Sequence, residues 1–185
     1  LLLCSASEVD ALEKPVPNDI TTLLARSEAL EAKGQFAEAE RMIRKFLTTE
    51  TILPVNKIFA LNSLGALMMT MDRFEEAEKD FERALDIAEH NPAIVPLALV
   101  RLRFNLAAAY LENHRYQRAQ NLLSKVSEED ASQPHERWRL ASLRGTLAIL
   151  SADYERGKQV FESHLRNLDS SKPTPELAIT LNNLG

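Results

Sequence analysis

The residues best suited to bind a metal ion or transfer a proton are four histidines. They are His90, His114, His135 and His164. Metal-binding pairs on a helix usually stand four residues apart, so that both imidazoles lie on one face. These histidines are scattered through the sequence, and no two of them have that spacing. We therefore predict that the protein binds no metal.

Catalytic groups of other kinds are also poorly represented. The acidic cluster Glu128, Glu129 and Asp130 contains carboxylates that could act as acid and base, but a charged run between helices is usually a solvated loop. The sequence contains no glycine-rich phosphate loop and no nucleophile elbow. We predict that the chain is not an enzyme and needs no cofactor.

Composition limits the partners and the compartment. The 185 residues carry a net charge of −5, with 45% hydrophobic and 26% charged residues, which predicts a folded domain and disfavours nucleic acid as a partner. The single cysteine, Cys4, excludes an internal disulfide framework and fits the cytoplasm or another reducing compartment.

The N-terminal residues suggest a longer parent protein. The sequence has no initiator methionine, and Leu1, Leu2 and Leu3 are compatible with the end of a signal or of an upstream membrane tether. No stretch reaches the roughly 18 apolar residues of a membrane span. We interpret residues 1–18 as a tail or linker and residues 19–185 as the folded domain.

The elements that hold the remaining polar residues form a repeat. Aromatic residues stand at Phe36, Phe74, Tyr116 and Tyr154, at intervals of 38, 42 and 38 residues. A small residue follows each of them by three positions, and another precedes each by nine. Such spacing is typical of pairs of antiparallel helices that approach closely, with the aromatic residue filling the space beside the turn.

Helix boundaries can be predicted from this frame. Proline precedes each first helix, as at Pro54 and at Pro92 after Asn91, and Asp72 with Glu75 fits a capping box for the second helix of the second pair. No segment alternates with the period of a strand. The predicted helices span residues 19–33, 36–49, 55–71, 74–89, 93–112, 116–126, 135–151, 154–168 and 175–185, in repeats near 19–50, 55–90, 93–127, 135–169 and a fifth that starts at 175.

The motif LNSLGALMMTMDRFEEAEKDFERAL, residues 61–85, resembles the tetratricopeptide repeat. The matching positions are Leu61, Leu64, Gly65, Met68, Phe74, Ala77, Phe81 and Ala84. The spacing exceeds the usual repeat of about 34 residues and is similar to that of kinesin light chains. Arg26 and Arg144 depart from the pattern, since leucine is usual there. The resemblance implies an all-α fold: a right-handed superhelical solenoid of about four and a half repeats. A HEAT or armadillo repeat is the alternative architecture.

The same resemblance implies a function in protein–protein interaction. In that family a concave groove lined by the first helices binds a peptide or a helix of a partner. Carried over position by position, the groove residues of this chain are Phe59, Asn62, Met69, Arg101, Asn105, Glu112, Arg139, Ser142, Thr146 and Asn182. Amides and arginines among them favour an acidic or mixed partner segment.

Other interpretations stay open. Asn62 and Asn182 could bind only neighbouring helices, and Arg101 and Arg139 could pair with Glu112 and Glu136 inside the chain. The domain could instead sense a peptide for a larger regulator, or assist an enzyme or membrane protein whose active part lies elsewhere.

The final LNNLG, residues 181–185, resembles half of a fifth hairpin, and the apolar side of that helix needs a covering partner. This predicts a longer natural chain or self-association.

Overall fold

The structure, a computed structural model, describes residues 19–49 and 51–166. In this part of the chain every regular element is an α-helix, and the helices form four consecutive pairs. The pairs are α1 (Ile20–Glu31) with α2 (Phe36–Leu47), α3 (Pro54–Thr70) with α4 (Phe74–Glu89), α5 (Pro96–Glu112) with α6 (Tyr116–Leu123), and α7 (Pro134–Leu150) with α8 (Tyr154–Arg166). The predicted all-α repeat architecture is confirmed.

Proline determines where the first helices begin. Pro54, Pro96 and Pro134 each occupy the first turn of α3, α5 and α7, where the missing N–H leaves no helical bond unmade. The predicted start of α5 at residue 93 is wrong. A residue before proline avoids the helical region, and Val95 is extended, with φ −67° and ψ 145°. The helix therefore begins at Pro96 instead of after Pro92.

The turns inside the four pairs share one backbone feature. Gly34, Asp72, His114 and Ala152 each lie two residues before the aromatic residue that opens the second helix, and each has a φ between 56° and 71°. This left-handed conformation ends the first helix. The capping box predicted at Asp72 is therefore wrong, because Asp72 belongs to this turn and α4 has no side-chain cap at Arg73.

We expect Ala152→Gly to stabilise the protein. An L-residue in the left-handed region costs about 1–2 kcal/mol, and glycine removes most of this cost. Urea unfolding should show a free energy of unfolding raised by about 1 kcal/mol. The control is Ala66→Gly, at an exposed position inside α3, where glycine should lower stability by about 1 kcal/mol. A loss in both variants would contradict the left-handed turn.

Close packing within a pair depends on glycine facing a phenylalanine. A Cβ placed on Gly65 would lie 2.6 Å from the ring of Phe81, and Gly145 faces the ring of Phe161 in the same way. Both rings are 1% exposed. The space at the small residue is thus filled from the middle of the second helix. Among the aromatic residues that open the second helices, Phe36 and Tyr116 pack against the core, whereas Tyr154 is 67% exposed.

Successive pairs stack into a solenoid because the second helix of one pair packs against the first helix of the next, and neighbouring first helices also touch. The backbones of α1 and α3, of α3 and α5, and of α5 and α7 are in contact. Within the described ranges, neighbouring second helices make no comparably close backbone contact and are joined mainly by long side chains. The core lies between the layer of first helices and the layer of second helices. None of the helices in residues 19–49 and 51–166 is long and apolar enough to span a membrane.

Candidate functional site

The groove residues predicted from the sequence lie on three successive first helices. Phe59, Asn62 and Met69 are on α3, Arg101, Asn105 and Glu112 are on α5, and Arg139, Ser142 and Thr146 are on α7. We call the surface that these nine residues share the first-helix face. Asn182 lies outside the described residues.

Three of these side chains form a chain of hydrogen bonds across the helices. Nη2 of Arg139 donates to Oδ1 of Asn105 over 2.8 Å, and Nδ2 of Asn105 donates to Oδ1 of Asn62 over 2.7 Å. The direction follows from chemistry, because a guanidinium has only donors. Oδ1 of Asn105 must therefore face Arg139, which turns its NH₂ group toward Asn62. The chain links three repeats through one residue each.

Arg139 is a largely desolvated cation in this chain. Its guanidinium carbon lies 5.4 Å from the centre of the Phe104 ring, close enough for a cation–π contact. Burial lowers the pKa of Arg139, since it disfavours the charged form. In the described part of the protein Arg139 forms no ion pair within 4.0 Å. Its charge is held by an amide oxygen and an aromatic ring.

Arg101 is bound inside the chain. Its Nε and Nη2 donate to Oε1 of Glu136 over 2.9 and 2.8 Å, so α5 and α7 are joined by an ion pair. Burial opposes ionisation of Glu136, which is 1% exposed, but the Arg101 hydrogen bonds and charge outweigh it and lower the pKa of the carboxyl. This is the internal pairing that the sequence left open for Arg101.

The other residues of the first-helix face supply a mixed surface. Phe59 is 45% exposed, which is unusual for phenylalanine, and Glu112 is exposed at the end of α5. Met69, Ser142 and Thr146 are half-buried. Apolar contact area is therefore concentrated on α3, while hydrogen-bonding groups follow on α5 and α7.

Sequence reasoning missed a set of charged contacts between the second helices. Between the first and second pairs, Arg73 donates to Glu40, and Arg44 donates to Glu76 over 3.2 Å. Hydrogen bonds from Arg73 lower the pKa of Glu40 despite its burial. Relative to the opening aromatic residues, Arg73 is at position −1 and Glu40 is at position +4 in the preceding pair.

The same positions are joined between the second and third pairs. Glu78, at position +4, is 3% exposed and accepts from Arg115, at position −1, over 2.6 Å. Arg118, at position +2, donates to Glu78 and to Glu82, each over 3.3 Å. Asn113 adds a 2.9 Å hydrogen bond to Glu78. The sequence signal for these contacts was a Glu at position +4 of one repeat together with an Arg at position −1 of the next.

The pattern changes between the third and fourth pairs. Gln120 stands at position +4 and Asp153 at position −1, while Ser124 and Arg156 replace Glu82 and Arg118. Gln120 cannot form an ion pair with Asp153, and Ser124 cannot form one with Arg156. Elsewhere, no group of three or more His, Cys, Asp or Glu side chains within the described ranges is placed to bind a metal ion.

Comparison with known proteins agrees with the helical geometry. Residues 57–128 match the family model for the tetratricopeptide repeat. A curated relative, a TPR repeat-containing protein of Treponema pallidum (strain Nichols), is 26% identical over 136 residues. That alignment covers 71% of this chain, and the chain spans only 15% of the relative.

Solved structures show the same fold. BtubC (BKLC) from P. vanneervenii superposes with a TM-score of 0.71 at 20% identity, covering 89% of this chain and 70% of the other. A putative kinesin light chain from Podosopora anserina, described as having nearly identical TPR-like repeats, gives a TM-score of 0.69 at 15% identity. The coverage is 93% of this chain and 86% of the kinesin light chain. The resemblance predicted from the sequence is confirmed.

Proposed function

Because this chain is an array of tetratricopeptide repeats, we propose that it binds an acidic segment of another protein along the first-helix face. Repeats of this kind generally mediate protein–protein interactions and are typically non-catalytic scaffolds. We assign the chain no catalytic role. In our proposal Asn62, Asn105 and Arg139 are the central contacts, and the other residues of the first-helix face surround the bound segment.

The observation that supports this proposal most is the direction of the hydrogen-bond chain. Each bond in it uses one donor and one acceptor, but the three side chains together have many more N–H groups than carbonyl oxygens. The NH₂ group of Asn62 and four of the five N–H groups of Arg139 are not used in the chain. A surface with spare donors is best matched by peptide carbonyls and carboxylates.

The charge of Arg139 supports an acidic ligand in particular. Arg139 forms no ion pair within 4.0 Å in the described residues and is compensated only at longer range by the charge of Glu136, so a ligand carboxylate in direct contact would stabilise it further. Arg101 has a different role in the proposal, because Glu136 already neutralises it. We therefore propose that Arg101 fixes the spacing of α5 and α7, while its exposed side contributes at the edge.

The flanking residues extend the site in both directions. Phe59 and Met69 would contact an apolar residue of the partner, and Ser142 and Thr146 would bind its backbone beyond Arg139. Asn182 remains a proposed contact of the fifth repeat. This arrangement suits an extended segment that carries an acidic residue next to an apolar one.

We expect a display library of random peptides, selected on the chain, to be enriched in Asp and Glu. For a labelled peptide from that selection, fluorescence anisotropy should show that Arg139→Gln weakens binding about 10-fold or more, since a hydrogen bond to a charged group contributes about 1.5–3 kcal/mol. The substitution removes the charge of Arg139 and does not reverse it. Arg101 is left unchanged, because a carboxylate at position 101 would face Glu136.

The matched control is Arg41→Gln, at an exposed position on the second helix α2. This variant should bind the selected peptide as the wild type does. Enrichment of basic peptides, or equal affinity of Arg139→Gln and the wild type, would refute the proposed site. The peptide-sensing and accessory-domain alternatives, the reducing compartment, and self-association through residues 175–185 stay predictions.

A further inference from the structure

The break in the charged contacts coincides with a cavity of about 460 Å³ between the third and fourth pairs. Gln120, Ser124, Asp153 and Arg156, the four residues at the altered positions, all line it. One repeat earlier, the corresponding residues Glu78, Glu82, Arg115 and Arg118 close the interface with ion pairs. The cavity thus occupies the place where two carboxylates are replaced by an amide and a hydroxyl.

The cavity lies beside α6, which is shorter than the other second helices. This helix has 8 residues, whereas the second helices α2, α4 and α8 have 12, 16 and 13. Arg144 holds its end, since Nη2 donates to the carbonyl oxygens of Leu123 and Val126 over 3.3 and 2.8 Å, and Nη1 donates to Glu128 over 2.7 Å. Arginine in place of the usual leucine therefore supports one wall of the cavity.

Polar donors are available in the cavity. In the part of the chain that the structure describes, the Arg156 guanidinium forms no ion pair, in contrast to Arg118 at the corresponding position. Asp153 forms no ion pair with this guanidinium in the described residues, and its Oδ1 accepts instead from the backbone N–H of Arg156 over 3.2 Å. The amide of Gln120 adds a second donor, whereas the hydroxyl of Ser124 already donates to the carbonyl oxygen of Asn121 over 2.8 Å.

The remaining wall is apolar. Leu123, Leu147, Ala148 and Val160 line it, on helices α6, α7 and α8. A volume of this size is in the range of small-molecule sites, which combine an apolar lining with a few polar groups that fix orientation. The combination here is one unpaired guanidinium at the side of an aliphatic wall.

We propose that this cavity binds a small aliphatic carboxylate. Its carboxylate would take the place of the carboxylates that Glu78 and Glu82 supply one repeat earlier, accepting from Arg156 and Gln120, while its hydrocarbon part contacts Leu147 and Val160. Asp153 repels an anion from the α8 turn and so favours the carboxylate on the Gln120 side. The site is separate from the first-helix face and does not depend on the peptide-binding proposal.

The test is a titration of the isotope-labelled chain with octanoate and with octanamide, followed by NMR. Octanoate should shift the signals of Leu147 and Val160 to saturation, and octanamide, which has the same chain without the charge, should bind at least ten times more weakly. Arg156→Gln should remove this preference. Arg118→Gln, at the corresponding position one repeat earlier, should leave octanoate binding unchanged.

A second variant tests the same idea from the opposite direction. Gln120→Glu restores the carboxylate that Glu78 supplies at the preceding interface, so it should pair with Arg156 and weaken octanoate binding at least 10-fold. Equal binding of octanoate and octanamide, no saturable shifts in the cavity, or undiminished octanoate binding in both Arg156→Gln and Gln120→Glu would overturn the proposal.

Discussion

Gly65→Ala is expected to lower the free energy of unfolding by about 1–3 kcal/mol, the usual cost of overpacking a core. A Cβ at this position would lie 2.6 to 2.9 Å from three carbon atoms of the Phe81 ring, which is buried between the helices and has little room to move. Helix propensity alone predicts the opposite result, since alanine in a helix is more stable than glycine by about 1 kcal/mol. Urea unfolding followed by circular dichroism measures the sign directly.

A double-mutant cycle separates the two effects. In a Phe81→Leu background the ring is gone, so adding the methyl group should cost at least about 1 kcal/mol less than it does in the wild type. Gly145→Ala repeats the test against Phe161 in the fourth pair. If both alanine variants are more stable than the wild type, the close contact between glycine and phenylalanine does not exist.

Glu78→Ala is expected to destabilise the protein by about 2 kcal/mol. The carboxylate is 3% exposed and accepts hydrogen bonds from Arg115, Arg118 and Asn113. Hydrogen bonds to charged groups contribute about 1.5–3 kcal/mol. The side chains of Arg115 and Arg118 are 40% and 56% exposed, so water will solvate them after the change and keep the loss below that of a fully buried pair.

Gln120→Ala is the matched control for Glu78→Ala. It alters the corresponding position of the next repeat, where the side chain is exposed and meets no arginine across the interface, and should change stability by less than about 0.5 kcal/mol. Glu78→Gln keeps the size and removes the charge, so it should reproduce at least half of the alanine effect. Similar losses for Glu78→Ala and Gln120→Ala would show that the ion pairs do not hold the repeats together.

The helices were predictable because their signals are local. Aromatic and small residues at regular intervals, with apolar residues every three or four positions, depend only on the period of the helix. The boundaries were less certain where two local signals compete. Pro92 and Pro96 both fit the start of α5, and only the extended conformation that Pro96 imposes on Val95 decides between them.

Asp72 shows a second kind of ambiguity. Aspartate is favoured both as a helix cap and in a left-handed turn, and the sequence around it satisfies a capping box. Comparing the four turns would have resolved this, because Gly34 stands at the position of Asp72 in the first pair. Ala152 hid the pattern, since alanine rarely adopts a positive φ.

The candidate site was likewise predictable only in part. Residue types and helix positions were enough to select Asn62, Asn105 and Arg139 separately. They were not enough to show that these three residues form one hydrogen-bonded chain, or that Arg101 is paired with Glu136. Those contacts join residues 34 to 43 positions apart, and their geometry is set by how much each pair rotates against the next.

The sequence by itself determined the all-α class, the pairing of consecutive helices and the helix layer on which the polar residues lie, because a repeated apolar pattern permits few ways to bury its faces. Only the tertiary structure decided which charges neutralise each other and where a cavity remains. Side chains of adjacent repeats meet at distances that depend on helix length and superhelical twist. The shortened α6, which contains Gln120, and Asp153 before α8 change these contacts between the third and fourth pairs.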